Sequence, residues 1–255
     1  MSTVLETKSL RKEYGALVAV DDVSIRIEER SLHSIIGPNG AGKTTLFNLL
    51  SGTVEPTAGS VVYRGRDITG LPAHRTIHEG IGRSYQITNI FPLLTVFENV
   101  RLAAQALGGK NFRFWRRTVA FPDVIDRTRE VLRRVGLADD AARIANTLPH
   151  GDQRKLELGM ILAPDPEVLL LDEPTAGMAS NQVPELMHLI EGIRAEGDKT
   201  VVLVEHNMNV VMAVSDRITV MHQGAVLAEG TPTEIADDEA VQEAYLGTLY
   251  EGDDT

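Results

Sequence analysis

Leu32-His33-Ser34-Ile35-Ile36-Gly37-Pro38-Asn39-Gly40-Ala41-Gly42-Lys43-Thr44-Thr45-Leu46-Phe47-Asn48-Leu49-Leu50 decides the fold. The run Leu32 to Ile36 reads as a strand that feeds straight into glycines, and Lys43 to Leu50 reads as a helix opening on that loop. Strand, glycine loop and helix in this order form a phosphate cradle. Gly40 and Gly42 let backbone N–H groups converge on a β-phosphate without Cβ interference, and the helix N-terminus adds partial positive charge. Lys43 brings a full charge to the β- and γ-phosphates, and the Thr44 hydroxyl suits Mg²⁺. Gly37, Pro38, Asn39, Gly40, Ala41, Gly42, Lys43, Thr44 and Thr45 are therefore the expected ATP-binding segment. The bland alternative is a chance glycine turn before a helix; the full match in the right context weighs against it.

Val168-Leu169-Leu170-Leu171-Asp172-Glu173 supplies the other half of such a site. Its uninterrupted apolar run predicts a strand buried on both faces. That strand delivers Asp172 to the metal, directly or through water, with Glu173 at its exposed end. Adjacent acids can divide the work, one holding Mg²⁺ and one polarising the attacking water. An acidic pair merely capping a strand is the competing reading.

The rest of the chain extends this pattern. Val18 to Val20, Val23 to Ile27 and Ser60 to Arg64 are short, partly alternating segments that make the first 70 residues β-rich. From about Asn89 to Pro164 the signals are helical, with Val124, Thr128, Val131, Leu132 and Val135 on one face and Gly136 as a stop. An amphipathic helix carrying Leu186, Leu189, Ile190 and Ile193, a buried strand Thr200 to Val204, and a hairpin of Arg217 to Met221 with Ala225 to Ala228 follow. Strands alternating with helices predict an α/β fold: a mostly parallel sheet with helices on its faces, plus a helical second lobe. There is no internal repeat or low-complexity tract, and the tail Glu251 to Thr255 is expected to fray.

With 255 residues, 43% hydrophobic and 24% charged, the chain can bury a full core. No apolar run reaches the roughly 20 residues of a membrane span, and the N-terminus does not read as a secretory signal. Zero cysteines rule out disulfides and thiolate metal sites and fit a reducing cytoplasm. A net charge of −11 argues against a nucleic-acid partner, so no nucleic acid is expected. If the protein works at a membrane, a partner must hold it there.

With these motifs in place the chain resembles an ABC-transporter ATPase over nearly its whole length. The resemblance implies a P-loop NTPase (RecA-like) core with an antiparallel β-subdomain over 1–88 and 166–230, an inserted helical subdomain over 89–165, and a helical tail over 231–255. It places Tyr14 against adenine. It puts Gln86 where an amide touches Mg²⁺ and the attacking water, in a loop that communicates with the membrane subunit. Leu148, Pro149, His150, Gly151 and Asp152 occupy the signature, which closes in trans over the partner's γ-phosphate. His206 matches the switch histidine, so the implied catalytic set is Glu173, His206, Lys43 and Gln86, with Thr44, Gln86 and Asp172 at the metal. The implied partners are a second ABC ATPase, integral membrane permease subunits and, indirectly, a solute-binding protein, with the chain peripheral on the inner face of the cell membrane. His206 need not be the base; holding γ-phosphate and water in line beside Glu173 is its more natural role.

Finer features are similar to the ATPases of importers for branched-chain amino acids and their urea or amide relatives: Arg83-Ser84-Tyr85-Gln86, Thr95 to Val100, Gln153 to Glu157, Glu205-His206-Asn207-Met208 and Glu243 to Gly247. The lipopolysaccharide-export ATPase shares several of these. An ABC ATPase that moves no solute, or a nucleotide-binding module without turnover, stand as alternatives from other classes; Glu173 with His206 argues against the second.

Two departures from the family pattern stand out. Where Leu-Ser-Gly-Gly-Gln is usual, Pro149 removes a hydroxyl and a backbone N–H, and Asp152 sets a carboxylate near an anion. Alternatively, Pro149 and Asp152 simply start a helix well. Ala179 stands where an Asp is usual in the loop after Glu173. Together they predict a slower site where this chain gives its signature, which a heterodimer tolerates.

Lys110 to Arg117 is a basic, aromatic stretch, read either as a contact with lipid headgroups or the membrane subunit, or as a loop folded onto the helical lobe. His74, His78 and His222 lack metal-ligand spacing, and Met208 with Met212 reads as helix packing.

Overall fold

The computed structural model describes residues 2–84, 90–106 and 122–250. Gln86, the stretch 110–117 and the tail 251–255 lie outside the described residues.

The N-terminal layer is antiparallel. β1 (Thr3–Tyr14) pairs with β2 (Leu17–Val23) and β3 (Arg26–Glu28). After β4 (Leu32–Ile36) and α1 (Lys43–Leu50), β5 (Ala58–Tyr63) returns to β1, and β6 (Arg66–Asp67) pairs with β5. The expected strand Val23 to Ile27 is in fact broken at Ser24-Ile25, because β2 and β3 pair with different stretches of β1. The twelve-residue β1 was not expected from its pattern. Its irregular burial comes from register shifts against β2, β3 and β5, with Ser9 at φ +45°.

α2 (Ala73–Glu79) and β7 (Ile81–Arg83) lead into the helices α3 (Val96–Ala106), α4 (Pro122–Arg134) and α5 (His150–Leu162). Then come β8 (Val168–Asp172), α6 (Val183–Ala195), β9 (Thr200–Val204) and α7 (Met208–Val214). β10 (Arg217–His222), β11 (Ala225–Gly230), α8 (Pro232–Ala236) and α9 (Glu239–Tyr250) complete the described chain.

The central sheet runs β11-β10-β4-β9-β8-β7, parallel throughout except for the edge strand β11. β10 and β11 form the expected hairpin, turned by Gln223 and Gly224, both at positive φ.

Strand periodicity divides the core. Leu169 and Leu171 of β8, with Val201 and Leu203 of β9, pack with the helices, in one cluster with Val96, Val131 and Leu132. Val168, Leu170, Val202 and Val204 face the other way, onto Leu46 and Phe47 of α1 and onto the antiparallel layer. The helical segment therefore shares its core with the sheet through α5 and α6. A third cluster sets Ile36, Ile218 and Val220 against Val211 of α7, Ile235 of α8 and Val241 of α9; Met208 and Met212 pack on it. Each fully buried aliphatic side chain of this kind contributes about 1.5–3 kcal/mol. That packing holds the C-terminal ends of β4, β8 and β9 side by side, where three loops meet.

Candidate functional site

The loop after β4 is shaped by two close approaches. A Cβ at Gly37 would lie 2.1 Å from the Met221 carbonyl oxygen, and one at Gly42 (φ +97°) 2.4 Å from that of Ala19. Only glycine lets the loop nest between β10 and β2. Lys43, 6% exposed, folds back and donates from Nζ to the carbonyl oxygens of Gly37 (2.7 Å) and Pro38 (2.9 Å). Burial lowers its pKa, and the charges of Glu173 and Asp172 oppose that fall.

β8 and β9 run in register, Asp172 beside Val204, so the residues beyond their ends emerge together. The Glu173 amide donates to the Val204 carbonyl at 2.9 Å. Glu173 adopts φ +47°, a strained conformation for a residue with a Cβ and one that re-aims its side chain. His206 Nε2 lies 2.5 Å from Glu173 Oε1.

Asp172 is 2% exposed. Its amide donates to Ser84 Oγ at 2.8 Å, and its Oδ2 lies 3.6 Å from Arg83 Nη2. Its Oδ1 is buried without a hydrogen-bond partner. Burial raises its pKa against the pull of Arg83. Arg83 is itself held by α1 and the residues after it: it donates to Asn48 Oδ1 (2.7 Å), Thr53 Oγ1 (3.0 Å) and Ser51 Oγ, and stacks on Phe47.

Between these groups lies a cleft of about 390 Å³ lined by Leu17, Val18, Ala19, the loop Asn39 to Thr45, Glu173 and His206. Of the sequence-predicted residues it thus brings together Asn39, Gly40, Ala41, Gly42, Lys43, Thr44, Thr45, Glu173 and His206. Tyr14 ends β1 opposite Leu17, 48% exposed, with Lys12 Nζ 5.1 Å from its ring centroid.

The signature segment lies elsewhere, at the start of α5. Leu148 is buried, while Pro149 and His150 are exposed. Pro149 is the residue before the helix, and Asp152 falls in its first turn, where a carboxylate suits the positive end. Asp152 is also neutralised, its Oδ1 3.0 Å from Lys155 Nζ. His150 packs over Gly177, and Ala179 is exposed.

Sequence reasoning missed several contributors. Arg83 and Ser84 were visible as motif members without a role. Thr175 and Glu205 interlock beneath Glu173 and His206. Ala19 and Met221 act through their carbonyls, which leave no side-chain signal. An acid immediately before a histidine at the end of an apolar strand was the one clue to Glu205.

The arrangement suits an anionic ligand with a polarisable water: backbone donors and an ammonium on one wall, a carboxylate and an imidazole on the other. No group of three or more His, Cys, Asp or Glu among the described residues could hold a metal alone. A divalent ion here would take oxygens from a bound triphosphate as well, which fits Mg²⁺ and the unpartnered Asp172 Oδ1.

Residues 20–176 match the ABC transporter family, and residues 225–250 match the branched-chain amino acid ATP-binding cassette transporter family. The high-affinity branched-chain amino acid transport ATP-binding protein LivG of Salmonella typhimurium is 42% identical over 249 residues, covering 96% of this chain and 98% of that protein. The lipopolysaccharide export system ATP-binding protein LptB of Escherichia coli is 34% identical over 243 residues, covering 95% and 97%. A crystal structure of the ADP conformation of an ATP-binding cassette of an ABC transporter superposes with a TM-score of 0.86 at 27% identity, covering 97% of this chain and 100% of that one.

Proposed function

The chain belongs to the ABC transporter family, and on that premise we propose that it hydrolyses ATP to drive an importer of branched-chain amino acids or related amino acids and amides. The observation that carries the reading is the 2.5 Å pair of Glu173 and His206 facing the glycine loop across one cleft. Glu173 polarises the attacking water, and His206 holds water and γ-phosphate in line beside it. Lys43 exchanges its two loop carbonyls for phosphate oxygens, while the loop amides grip the β-phosphate. Tyr14 and Leu17 offer apolar surface to the adenine. Thr44 and Asp172, with Gln86, would hold Mg²⁺, which when bound neutralises the charge of the β- and γ-phosphates.

A second ATPase subunit supplies the signature over this chain's nucleotide, and this chain returns Leu148 to Asp152 to the partner's. Among the described residues no helix is long and apolar enough to cross a membrane. Permease subunits hold the chain at the inner face of the membrane. The exposed Phe91, Leu93 and Leu94, with Ile144 bridged to the neighbouring Thr95, offer apolar surface to them. Import is favoured over lipopolysaccharide export by the match of residues 225–250 and by the higher identity to LivG.

Phosphate release and uptake of labelled leucine by the complex in proteoliposomes test the reading. Glu173→Gln should bind ATP and abolish both. Uptake unchanged in that variant contradicts the site assignment, and ATP-dependent loss of lipid A derivatives without leucine uptake contradicts the cargo.

A further inference from the structure

We infer that Glu205 is a positioning residue for hydrolysis, a buried carboxylate that sets Glu173 and His206 against each other. The inference deepens the proposed function and rests on its assignment of Glu173 and His206.

Glu205 follows β9 and is 4% exposed. Its Oε1 accepts from both the Thr175 amide (3.1 Å) and the Thr175 hydroxyl (2.5 Å). Its Oε2 accepts from the His206 amide at 3.1 Å. One carboxylate therefore binds the two loops that carry the reacting pair. A charged group this deep is costly to bury unless its oxygens are satisfied, and here three donors converge on it.

The contact acts on Glu173 through a short lever. The Ala176 amide donates to the Glu173 carbonyl at 3.0 Å, closing a turn whose central residues are Pro174 and Thr175. Glu173 holds φ +47° in front of a proline, which left-handed backbone does not favour. The Val204 carbonyl fixes Glu173 at its amide, and Glu205 fixes the turn two residues on. On the other side, the Asn207 side chain caps α7 by accepting from the amides of Asn209 and Val210, so His206 sits between two tethered neighbours. Glu205 does not line the nucleotide cleft. Its effect falls on the angle and distance of the Glu173–His206 pair, hence on turnover and not on nucleotide affinity.

The test uses the assembled pair of ATPase subunits and compares the parent with pairs in which this chain alone carries Glu205→Ala, Thr175→Val, Thr175→Ser, the double variant Glu205→Ala/Thr175→Val, or Glu173→Gln. Each is measured for kcat, KM for ATP, affinity for a fluorescent ATP analogue, and melting temperature. Losing charge-assisted hydrogen bonds of this kind should lower kcat of Glu205→Ala roughly 30-fold, and of Thr175→Val roughly tenfold, with KM and affinity within about twofold of the parent. Thr175→Ser, which keeps the hydroxyl, should stay within about twofold of parental kcat, and the double variant should be no slower than Glu205→Ala. Parental kcat in Glu205→Ala, a loss confined to KM or affinity, or equal loss in Thr175→Ser and Thr175→Val overturns the inference. If Glu205→Ala does not fold, the Thr175 pair decides alone. Glu173→Gln separates the two levels: full activity there overturns the site assignment itself, while inactivity there with an unaffected Glu205→Ala overturns only the positioning role.

Discussion

Glu173 Oε1 and His206 Nε2 lie 2.5 Å apart although 33 residues separate them in the chain. The pairing exists because β8 and β9 end in register and both loops turn toward the glycine cradle. His206→Ala should therefore lower kcat by roughly 10²- to 10⁴-fold, with ATP affinity close to parental. Steady-state hydrolysis beside equilibrium nucleotide binding measures both.

Lys43 donates to the Gly37 and Pro38 carbonyls as well as facing the cleft, so its removal affects loop and ligand together. Lys43→Ala should weaken ATP binding at least about tenfold, and Lys43→Arg should not restore it, because a planar guanidinium does not fit a pocket shaped for a compact ammonium. Titration with a fluorescent nucleotide checks this, and parental affinity in Lys43→Ala would remove the basis of the whole site.

Gly42→Ala puts a methyl group 2.4 Å from the Ala19 carbonyl oxygen in a conformation that disfavours side chains. It should cost more than about 2 kcal/mol in stability and open the loop away from β2. Urea unfolding gives the loss; Gly40→Ala, which meets open space but keeps φ +77°, should cost less.

His33 is fully buried on β4, with Nε2 2.7 Å from Thr219 Oγ1. Burial, aided by the nearby Arg217 charge, lowers its pKa to about 4 from an ordinary 6.5. Between those values the unfolded chain binds the proton that the folded chain refuses, so stability rises with pH across this window. The contribution is fully present above pH 6.5 and is lost as the pH falls toward 4, in total roughly 3 kcal/mol. Urea midpoints at several pH values should show that slope, and His33→Gln should flatten it.

The signature departures predict asymmetry. Lys155 screens Asp152, so this chain's α5 still presents a helix N-terminus, but Pro149 offers no amide proton. In an assembled pair, Glu173→Gln in this subunit alone should remove most turnover, since its own glycine loop is the intact site. Retention of most activity would contradict the assignment.

Local sequence alone was enough for the phosphate loop, because its chemistry is carried by contiguous residues: a β-strand, glycines at fixed offsets, a lysine at the helix start. The doubly buried strands β8 and β9 were legible for a similar reason, since the runs Val168 to Leu171 and Val201 to Val204 have few other uses, whereas β4, interrupted by His33 and Ser34, was legible through the glycine loop it feeds. β1 was not, because its burial is dictated by three partners and by register shifts that no local period encodes. Only the tertiary structure decided what surrounds the loop. The Ala19 and Met221 carbonyls demand Gly42 and Gly37, Arg83 reaches Asp172 from a neighbouring strand, and Glu205 ties Thr175 to His206. Those contacts join residues remote in sequence through backbone atoms and buried polar groups, and their positions follow from how the sheet and helices pack.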